Sequence, residues 1–441
     1  MAAKKIKNKN VIFAAVGAAT GLGNAFRFPA LCVSYGAAFI LAYAVMLGAV
    51  CFPLLCAEMY LGINGAGKRR RQWAFILRVA AANSALIGLY YGVIATKLCS
   101  ASLCSMLPFN VISEDWSTVS GTWTFIGAWA LVILCVFFIL RRAKQILPVT
   151  GKISVTLSLT VFSVLAVLGV CAIARGGVAF SFDFSALARC STWADALGQA
   201  LLSLSLAGGV MPSFARTGAQ CSDKKYKIVP TALAITLANL AGCILAFLAT
   251  LPFVKVFPEQ GGVNAGMQVY AQVIAAVAPN AVWAKVAGAF IFGTLTVVAV
   301  HSLCSLANPS VSFYAQNGKP SAVIFALACA LLLPFFMWGG CEMLSACDRM
   351  ACTVCAVCIA FSECLIFTLR GNIKGVIANL VRFLCLPACG ALALFSLCSA
   401  RFGCFSPIAQ GVAYAVLAAV LCCGLLGYKK TIDKSDKSIY T

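Results

Sequence analysis

The chain has 441 residues, of which 62% are hydrophobic, and its mean hydropathy is +0.97. This apolar content excludes a soluble domain and indicates a polytopic membrane protein. The formal charge of +21 comes from 33 basic and 12 acidic residues, and the basic residues cluster in loops on one side of the apolar segments. That distribution is typical of cytoplasmic loops and argues against a nucleic-acid partner.

Apolar segments of spanning length recur along the whole chain and predict an all-α protein with about twelve transmembrane helices. In the first half, spans 1 to 6 are predicted at 10–35, 37–62, 73–106, 121–141, 147–174 and 193–215. In the second half, spans 7 to 12 are predicted at 228–257, 281–314, 320–340, 345–370, 376–400 and 407–428.

Basic loops alternate with acidic loops and orient the predicted spans. The Lys4–Lys9 segment precedes span 1, Lys68–Arg71 follows span 2, and Lys429 and Lys430 follow span 12. Because cytoplasmic loops are rich in Lys and Arg, both termini are predicted to be cytoplasmic. We expect a multi-pass protein of the plasma membrane, here a bacterial inner membrane, with the lipid bilayer as partner and no obligate protein partner.

Two spans carry glycines that a simple anchor does not need. Span 1 reads VIFAAVGAATGLGNAFRFP over Val11–Pro29, and span 6 contains Ala207-Gly208-Gly209 followed by Pro212. Exposed backbone at membrane depth is tolerated only beside protein or a water-filled cavity, so both spans are predicted to be broken helices around a binding site. Breaks at corresponding positions indicate a five-plus-five inverted repeat. One transporter domain over 1–441 would then hold repeats at 10–174 and 193–370, with accessory helices at 376–428.

The segment Val16–Pro29, VGAATGLGNAFRFP, resembles the signature of the neurotransmitter:sodium symporter family. Further matching residues are Tyr43, Glu58, Tyr90-Tyr91, Gln199, Ser203, Asn239, Ser302, Pro309, Asp348 and Glu363, so the resemblance covers the whole chain. It implies a bacterial-type amino acid:sodium symporter with a leucine-transporter-like fold. Such a protein is no enzyme; it takes up a neutral amino acid with sodium by alternating access.

The resemblance also implies a substrate site. Backbone groups of Ala19, Leu22 and Gly23 would hold the ammonium and carboxylate of the substrate, and the hydroxyl of Tyr91 would complete the carboxylate site. Gly21 stands where monoamine carriers of the family have aspartate, which favours an amino acid over an amine. The remaining lining would comprise Ile87, Leu202, Ser203, Ser205, Gly208, Ser302 and Leu306. Because Gly208 replaces an aromatic residue, we predict a roomy site for a bulky hydrophobic or aromatic amino acid, unless neighbouring side chains fill the gap.

Two sodium sites are implied in the same way, since hard cations prefer oxygen ligands. The first would use Ala19, Asn24, Ser203, Asn239 and the carboxylate of the substrate. The second would use carbonyl groups of Gly17, Thr20 and Val298 with Ser302, but His301 stands where the family has a second hydroxyl. A protonated His301 would replace the second sodium and couple protons. The alternatives are a neutral histidine hydrogen-bonded within the bundle and a shift of register by one residue.

A chloride site is implied at Tyr43, Gln199, Ser203 and Asn239, because span 7 lacks the carboxylate typical of chloride-independent relatives and has Cys243 there. Arg27 and Asp348 match the outer gate of the family. We interpret Glu58 and Glu363 as hydrogen-bonded partners that tie helices together.

Two alternatives stay open beside the sodium-coupled transporter. One is a proton-linked or weakly coupled carrier or exchanger of the same fold, in which His301 replaces the second sodium. The other, from a different class, is a membrane receptor that binds an amino acid without transporting it.

Overall fold

The computed structural model describes residues 8–65, 67–106, 123–176, 182–220, 226–252, 269–275, 278, 280–315, 321–338, 340–370, 375–398 and 406–432. Within these ranges the chain forms helices and short connections, and no strand occurs among the described residues. The predicted all-α class is therefore confirmed.

The helices follow the predicted spans closely, and several spans are divided. Spans 1 and 2 contain Asn8–Ala19, Gly23–Arg27, Phe28–Tyr35, Ala37–Val45, Met46–Cys51 and Phe52–Asn64. Spans 3 to 7 contain Arg70–Met106, Trp123–Arg141, Ala143–Gly176, Cys190–Ser203, Val210–Gln220 and Ile228–Thr250. Spans 8 to 10 contain Ala281–Ala315, Ser321–Trp338, Gly340–Asp348, Arg349–Cys355 and Ala356–Leu369. Spans 11 and 12 contain Val376–Leu380, Val381–Cys385, Leu386–Cys398 and Pro407–Ile432.

Nine helical segments in the described residues are long and apolar enough to cross a membrane, namely spans 1 to 5, 7, 8, 10 and 11. Span 6 is divided into two shorter helices, and Pro407–Cys422 of span 12 is a shorter apolar helix. The chain is thus a multi-pass helical membrane protein, and the total of twelve crossings stays a prediction.

Glycine allows the central helices to approach each other at backbone distance. A Cβ atom on Gly62 of span 2 would lie 2.7 Å from the Cα atom of Pro212 in span 6. A Cβ atom on Gly151 of span 5 would lie 2.8 Å from the Cα atom of Ala14 in span 1. Real side chains do not fit at these distances, so glycine is required at both crossings. The two broken spans are thereby packed tightly into the bundle.

Four spans also contain π-helical segments, which are Gly23–Arg27, Met46–Cys51, Arg349–Cys355 and Val381–Cys385. A π-turn adds one residue to the helical turn and often lies at a functional site. The first of these segments carries Arg27, and the third begins directly after Asp348. These two residues face each other from spans 1 and 10, as described below.

Candidate functional site

Span 1 is broken where its glycines predict. The first helix ends at Ala19, and the π-helical segment begins at Gly23. The hydroxyl group of Thr20 donates to the carbonyl oxygen of Val16 at 3.0 Å, which closes the end of the first helix. A Cβ atom on Gly21 would lie 2.6 Å from Oγ of Ser302, so this hydroxyl group would have to rotate away to admit a side chain.

Span 6 is broken between Ser203 and Val210, as predicted. In this break Ser205 and Ala207 have φ angles of 52° and 55°, in the left-handed region that non-glycine residues rarely adopt. Such strain costs on the order of 1–3 kcal/mol per residue and persists only where surrounding contacts hold it. The contacts are specific here: Ser205 Oγ donates to the carbonyl oxygen of Ala18 at 3.1 Å. The two broken spans are therefore joined to each other.

Oxygen atoms converge on the carboxamide group of Asn24 directly after the span 1 break. Its Nδ2 atom lies 3.2 Å from the carbonyl oxygen of Ala19, 3.0 Å from Oδ1 of Asn239 and 3.4 Å from the carbonyl oxygen of Asn239. Oδ1 of Asn24 is buried and has no hydrogen-bond partner among the described residues. The Nδ2 atom of Asn24 thus has three acceptor oxygens around it, and the Oδ1 atom of the same side chain has no donor among the described residues.

This arrangement fits a sodium ion. A half-turn of the Asn24 carboxamide exchanges its oxygen and nitrogen without changing its shape, and its oxygen then joins the carbonyl of Ala19 and Oδ1 of Asn239. Several uncharged oxygens facing one point repel each other unless a positive charge lies between them, and hard cations prefer such ligands. Asn24 and Asn239 are both buried, so bulk water does not solvate these oxygens.

The predicted chloride residues lie beside this cluster. Asn239 Nδ2 donates to the hydroxyl oxygen of Tyr43 at 2.8 Å and to Oγ of Ser203 at 3.3 Å. The hydroxyl groups of Tyr43 and Ser203 are 3.1 Å apart, and Sγ of Cys243 lies 3.3 Å from the Tyr43 hydroxyl. Gln199 differs from the other three, because its Nε2 atom donates to the carbonyl oxygen of Gly23 at 3.0 Å. These side chains offer several polar hydrogens in one buried place.

His301 is the buried centre of the predicted second sodium site. Its Nδ1 atom lies 2.9 Å from Oγ1 of Thr150, and its Nε2 atom lies 3.4 Å from both the carbonyl oxygen of Ala14 and Oγ of Ser305. A Cβ atom on Gly17 would lie 2.7 Å from the same Nε2 atom. These are the contacts of a histidine hydrogen-bonded within the bundle, which was one of the alternatives. Thr150 was not found from the sequence, because an isolated threonine in an apolar span carries no signal.

The predicted second sodium site has three other ligands, one at the break of span 1 and two in span 8. Thr20 adjoins the break, Val298 is fully buried, and Ser302 is buried on the same helix as His301. Oγ of Ser302 has no hydrogen-bond partner among the described residues and faces the Cα atom of Gly21. Ser302 therefore offers a free hydroxyl group at the break, where either a cation or a substrate could use it.

The predicted substrate-lining side chains are mostly buried. Leu202 is half-buried, and its Cδ2 atom lies 3.6 Å from the position of a Cβ atom on Gly23. Leu202 therefore reaches from span 6 to the break of span 1. The predicted lining side chains that the structure buries are Leu22, Ile87, Tyr91, Ser203, Ser205, Ser302 and Leu306.

At Gly208 the structure favours one of the two alternatives that the sequence leaves open. The sequence predicts empty space where this glycine replaces an aromatic side chain, but Oγ of Ser84 occupies the position that its Cβ atom would take. Val210 Cγ2 lies 3.7 Å from the same position. Because a neighbouring side chain fills the gap, Gly208 gives no evidence for a roomy site.

The predicted gate residues lie close together. Nε of Arg27 is 3.9 Å from Oδ2 of Asp348, and Nη2 of Arg27 donates to Oγ1 of Thr353 at 3.3 Å. The hydroxyl group of Tyr90 donates to Oδ1 of Asp348 at 2.8 Å. Spans 1, 3 and 10 therefore meet through one polar cluster. Tyr90 is the member that sequence reasoning did not assign, although it adjoins Tyr91.

Fold and site together define a helical membrane protein with two interrupted helices around a buried polar centre. Residues 4–126 match the family model described as the sodium:neurotransmitter symporter family. The chain is 26% identical over 292 residues to the sodium- and chloride-dependent transporter XTRP3 of Rattus norvegicus, and this match covers 54% of this chain and 46% of the relative. The chain therefore spans about half the length of the curated relative it matches.

The structure is similar to the crystal structure of MhsT in complex with L-phenylalanine, with a TM-score of 0.73 and 20% sequence identity. The similarity covers 87% of this chain and 97% of that chain. At this identity the likeness shows the fold alone. The family model and the curated relative, each of which matches part of the chain, both describe sodium-dependent transporters to which this chain is similar.

Proposed function

We propose that this protein is a secondary active transporter that takes up a neutral amino acid together with sodium by alternating access. The observation that carries the proposal is the convergence of oxygens on Asn24, where Oδ1 has no partner among the described residues and the Asn239 side chain lies 3.0 Å away. A sodium ion bound there would supply the positive charge that these uncharged ligands lack. Ala19, Asn24, Ser203 and Asn239 would hold it.

Coupling follows from the position of this site at the break of span 1. The carboxylate of an amino acid bound at Leu22 and Gly23 would lie next to the same oxygens and would complete the ion ligands. Each ligand then strengthens the binding of the other by the same factor, since linkage is reciprocal. Arg27 and Asp348, 3.9 Å apart, would close the outer side above the bound substrate.

A neutral amino acid is supported by what surrounds Gly21. Gly21 carries no carboxylate, so the break offers none to a substrate amine at this position, which Oγ of Ser302 contacts instead. The structure of similar fold holds L-phenylalanine, which supports a hydrophobic or aromatic substrate. Tyr91, Ile87 and Leu306 would contact its carboxylate or side chain.

Chloride is proposed as a further ion, at Tyr43, Ser203, Asn239 and Gln199. The donors that surround this place and the name of the relative XTRP3, a sodium- and chloride-dependent transporter, support it. Uptake that does not fall when gluconate replaces chloride would contradict the chloride site.

Loops rich in Lys and Arg support a plasma-membrane location with both termini cytoplasmic. Reporter fusions at each terminus would test this orientation.

The decisive experiment is a thermal-shift screen of the purified protein against twenty amino acids, in sodium and in potassium. A ligand at about 100 times its Kd stabilises the native state by about 2.7 kcal/mol. We expect a shift with hydrophobic or aromatic amino acids in sodium only, and no such shift for Asn24→Ala. An equal response in sodium and potassium would contradict sodium coupling. Binding without uptake into liposomes would favour the receptor alternative.

A weakly coupled carrier or exchanger of the same fold is the second candidate. It is favoured by His301, because the imidazole ring rather than a second hydroxyl faces Gly17 at the predicted second sodium site. One sodium would then accompany each substrate. Counterflow of labelled amino acid in sodium-free medium separates the two candidates, since the tightly coupled transporter is inactive there.

A further inference from the structure

Both members of the Arg27–Asp348 pair adjoin π-helical turns. Arg27 ends the segment Gly23–Arg27, and Asp348 directly precedes the segment Arg349–Cys355. A π-turn shifts the backbone hydrogen bonds by one residue and so interrupts the regular pairing of donors and acceptors in the helix. Inside a membrane no bulk water satisfies the backbone groups that this shift leaves, so the protein must supply their partners. In both segments the partner is a side chain from another element.

Asn83 of span 3 supplies the partner in span 10. Its Nδ2 atom donates to the carbonyl oxygen of Ala351 at 3.1 Å. The same oxygen accepts the backbone N–H of Ala356, five residues later, as a π-turn requires. Asn83 is 1% exposed, and its Oδ1 atom has no hydrogen-bond partner among the described residues. Burial of a carboxamide group costs free energy, and the hydrogen bond to Ala351 is what offsets that cost.

Two further contacts enclose the same π-turn. Tyr90 lies about two helical turns after Asn83 on the same helix, and its hydroxyl group donates to Oδ1 of Asp348 at 2.8 Å. Span 6 approaches as well, because a Cβ atom on Gly198 would lie 3.2 Å from the carbonyl oxygen of Cys352. Asn83 therefore holds a carbonyl group of an enclosed turn, three residues after Asp348.

Tyr270 supplies the partner in span 1. Its hydroxyl group donates to the carbonyl oxygen of Ala25 at 3.1 Å, two residues before Arg27. Its ring lies edge-on to the ring of Phe26, with 5.5 Å between the ring centroids, and the side chain is fully buried. Tyr270 belongs to residues 269–275, a helical stretch between spans 7 and 8. This connection therefore holds the backbone of span 1 directly beside Arg27.

We propose that Asn83 and Tyr270 are positioning residues of the gate, each of which holds one carbonyl group of a π-turn and so sets Arg27 against Asp348. This inference rests on the proposed function, in which the pair closes above a bound amino acid. A π-turn that reverts to regular helix rotates the helix on one side of it by about 100° relative to the other side. The 3.9 Å approach of Arg27 to Asp348 therefore depends on both turns being held.

Hydrogen–deuterium exchange of the purified protein tests the two hydrogen bonds without sodium or substrate. Asn83→Ala should speed exchange in residues 349–356, and Tyr270→Phe should speed it in residues 23–28. Loss of one net hydrogen bond corresponds to roughly 2- to 13-fold faster exchange. Tyr270→Phe removes a single hydroxyl group and keeps the ring, so it stays informative should Asn83→Ala fail to fold. Unchanged exchange in either variant overturns the role of that residue.

Ser102→Ala is the matched control for these measurements. Ser102 lies in span 3 like Asn83, and its hydroxyl group donates to the carbonyl oxygen of Ala289 in span 8 at 2.9 Å. The variant loses a hydrogen bond of the same kind, but far from both π-turns in the sequence. It should leave exchange in residues 23–28 and 349–356 unchanged. Equal acceleration in the control would show a general loosening of the bundle and would overturn the proposal.

Dissociation of labelled amino acid tests the connection to the gate. Asn83→Ala and Tyr270→Phe should each speed dissociation by up to about 5-fold, the effect of losing the Arg27–Asp348 pair. In an Asp348→Asn background neither should speed it further, because the pair is already broken. A side chain that only stabilises the fold would add its effect to that of Asp348→Asn, so additive effects or an unchanged rate overturn the positioning role. If the wild-type protein binds no amino acid, the proposed function and the gate fail together, whereas exchange alone decides whether the two side chains hold the π-turns.

Discussion

Substitution of Gly62 by alanine is the sharpest test of the packing around the span 6 break. Gly62 lies one helical turn after Glu58, and both residues face span 6. The Cβ atom of an alanine would lie 2.7 Å from the Cα atom and 2.9 Å from the carbonyl carbon of Pro212. Both neighbours are backbone atoms, so no side-chain rotation can relieve the overlap.

The magnitude follows from these distances. Nonbonded carbon atoms normally lie about 3.5–4.0 Å apart, so spans 2 and 6 must separate by about 1 Å to admit the new methyl group. Overpacking of this kind costs about 1–3 kcal/mol, and rigid backbone neighbours place Gly62→Ala at the upper end. For a chain of this size, about 3 kcal/mol lowers the thermal midpoint by roughly 3–6 °C, extrapolating the size trend of the midpoint shift.

Thermal unfolding of purified variants measures this effect. Gly48→Ala is the matched control, because Gly48 lies in the same span and a Cβ atom there meets nothing within 4 Å. That variant should be neutral, or gain up to about 1 kcal/mol from better helix propensity. Equal midpoints for Gly62→Ala and the wild-type protein, or an equal fall in Gly48→Ala, would refute the reasoning.

Three further substitutions probe the polar centre. Asn239→Ala removes both an acceptor and a donor from a buried network and should cost about 1–3 kcal/mol, with loss of sodium-dependent stabilisation by substrate in thermal-shift assays. Asp348→Asn weakens a half-buried pair with Arg27 worth about 0.2–1 kcal/mol, so labelled substrate should dissociate about 1.4–5-fold faster. An unchanged rate would argue against a gate. Thr150→Val leaves Nδ1 of His301 without its partner and should lower the free energy of unfolding by about 1–3 kcal/mol. Denaturant titration measures this change. An unchanged free energy of unfolding would mean that the 2.9 Å contact between Thr150 and His301 does not stabilise the protein.

The broken helices could be predicted because glycine inside an apolar span weakens the helix and exposes backbone, which lipid does not tolerate. At Gly21 and Gly23 the break follows from residue type alone, and its position in the structure differs by only a residue or two. The cluster of Asn24, Asn239 and Ser203 was found through the family resemblance. No periodicity in the sequence connects three residues that lie on three different spans.

Other features depend on contacts between helices that could not be predicted from the sequence alone. The sequence predicts open space at Gly208 unless a neighbouring side chain fills it. Ser84 of span 3 fills it, and only the crossing of the two helices reveals this. The partnership of His301 with Thr150 likewise joins span 8 to span 5. Glu58 was correctly expected to tie helices together, whereas its contact with the backbone of Ala207 needed the geometry of the break.

The glycine crossings also restrict how this bundle can move. Gly62 against Pro212, Gly151 against Ala14, and Gly169 against Leu248 of span 7 bring backbone against backbone. Two helices slide past each other in shear only when flexible side chains between them can repack. These crossings have no side chains between the two backbones, so we expect each pair of helices to move together as a rigid body. Rotation is then confined to hinges at Thr20–Leu22 and Leu204–Gly209, where the helical hydrogen bonds are already interrupted.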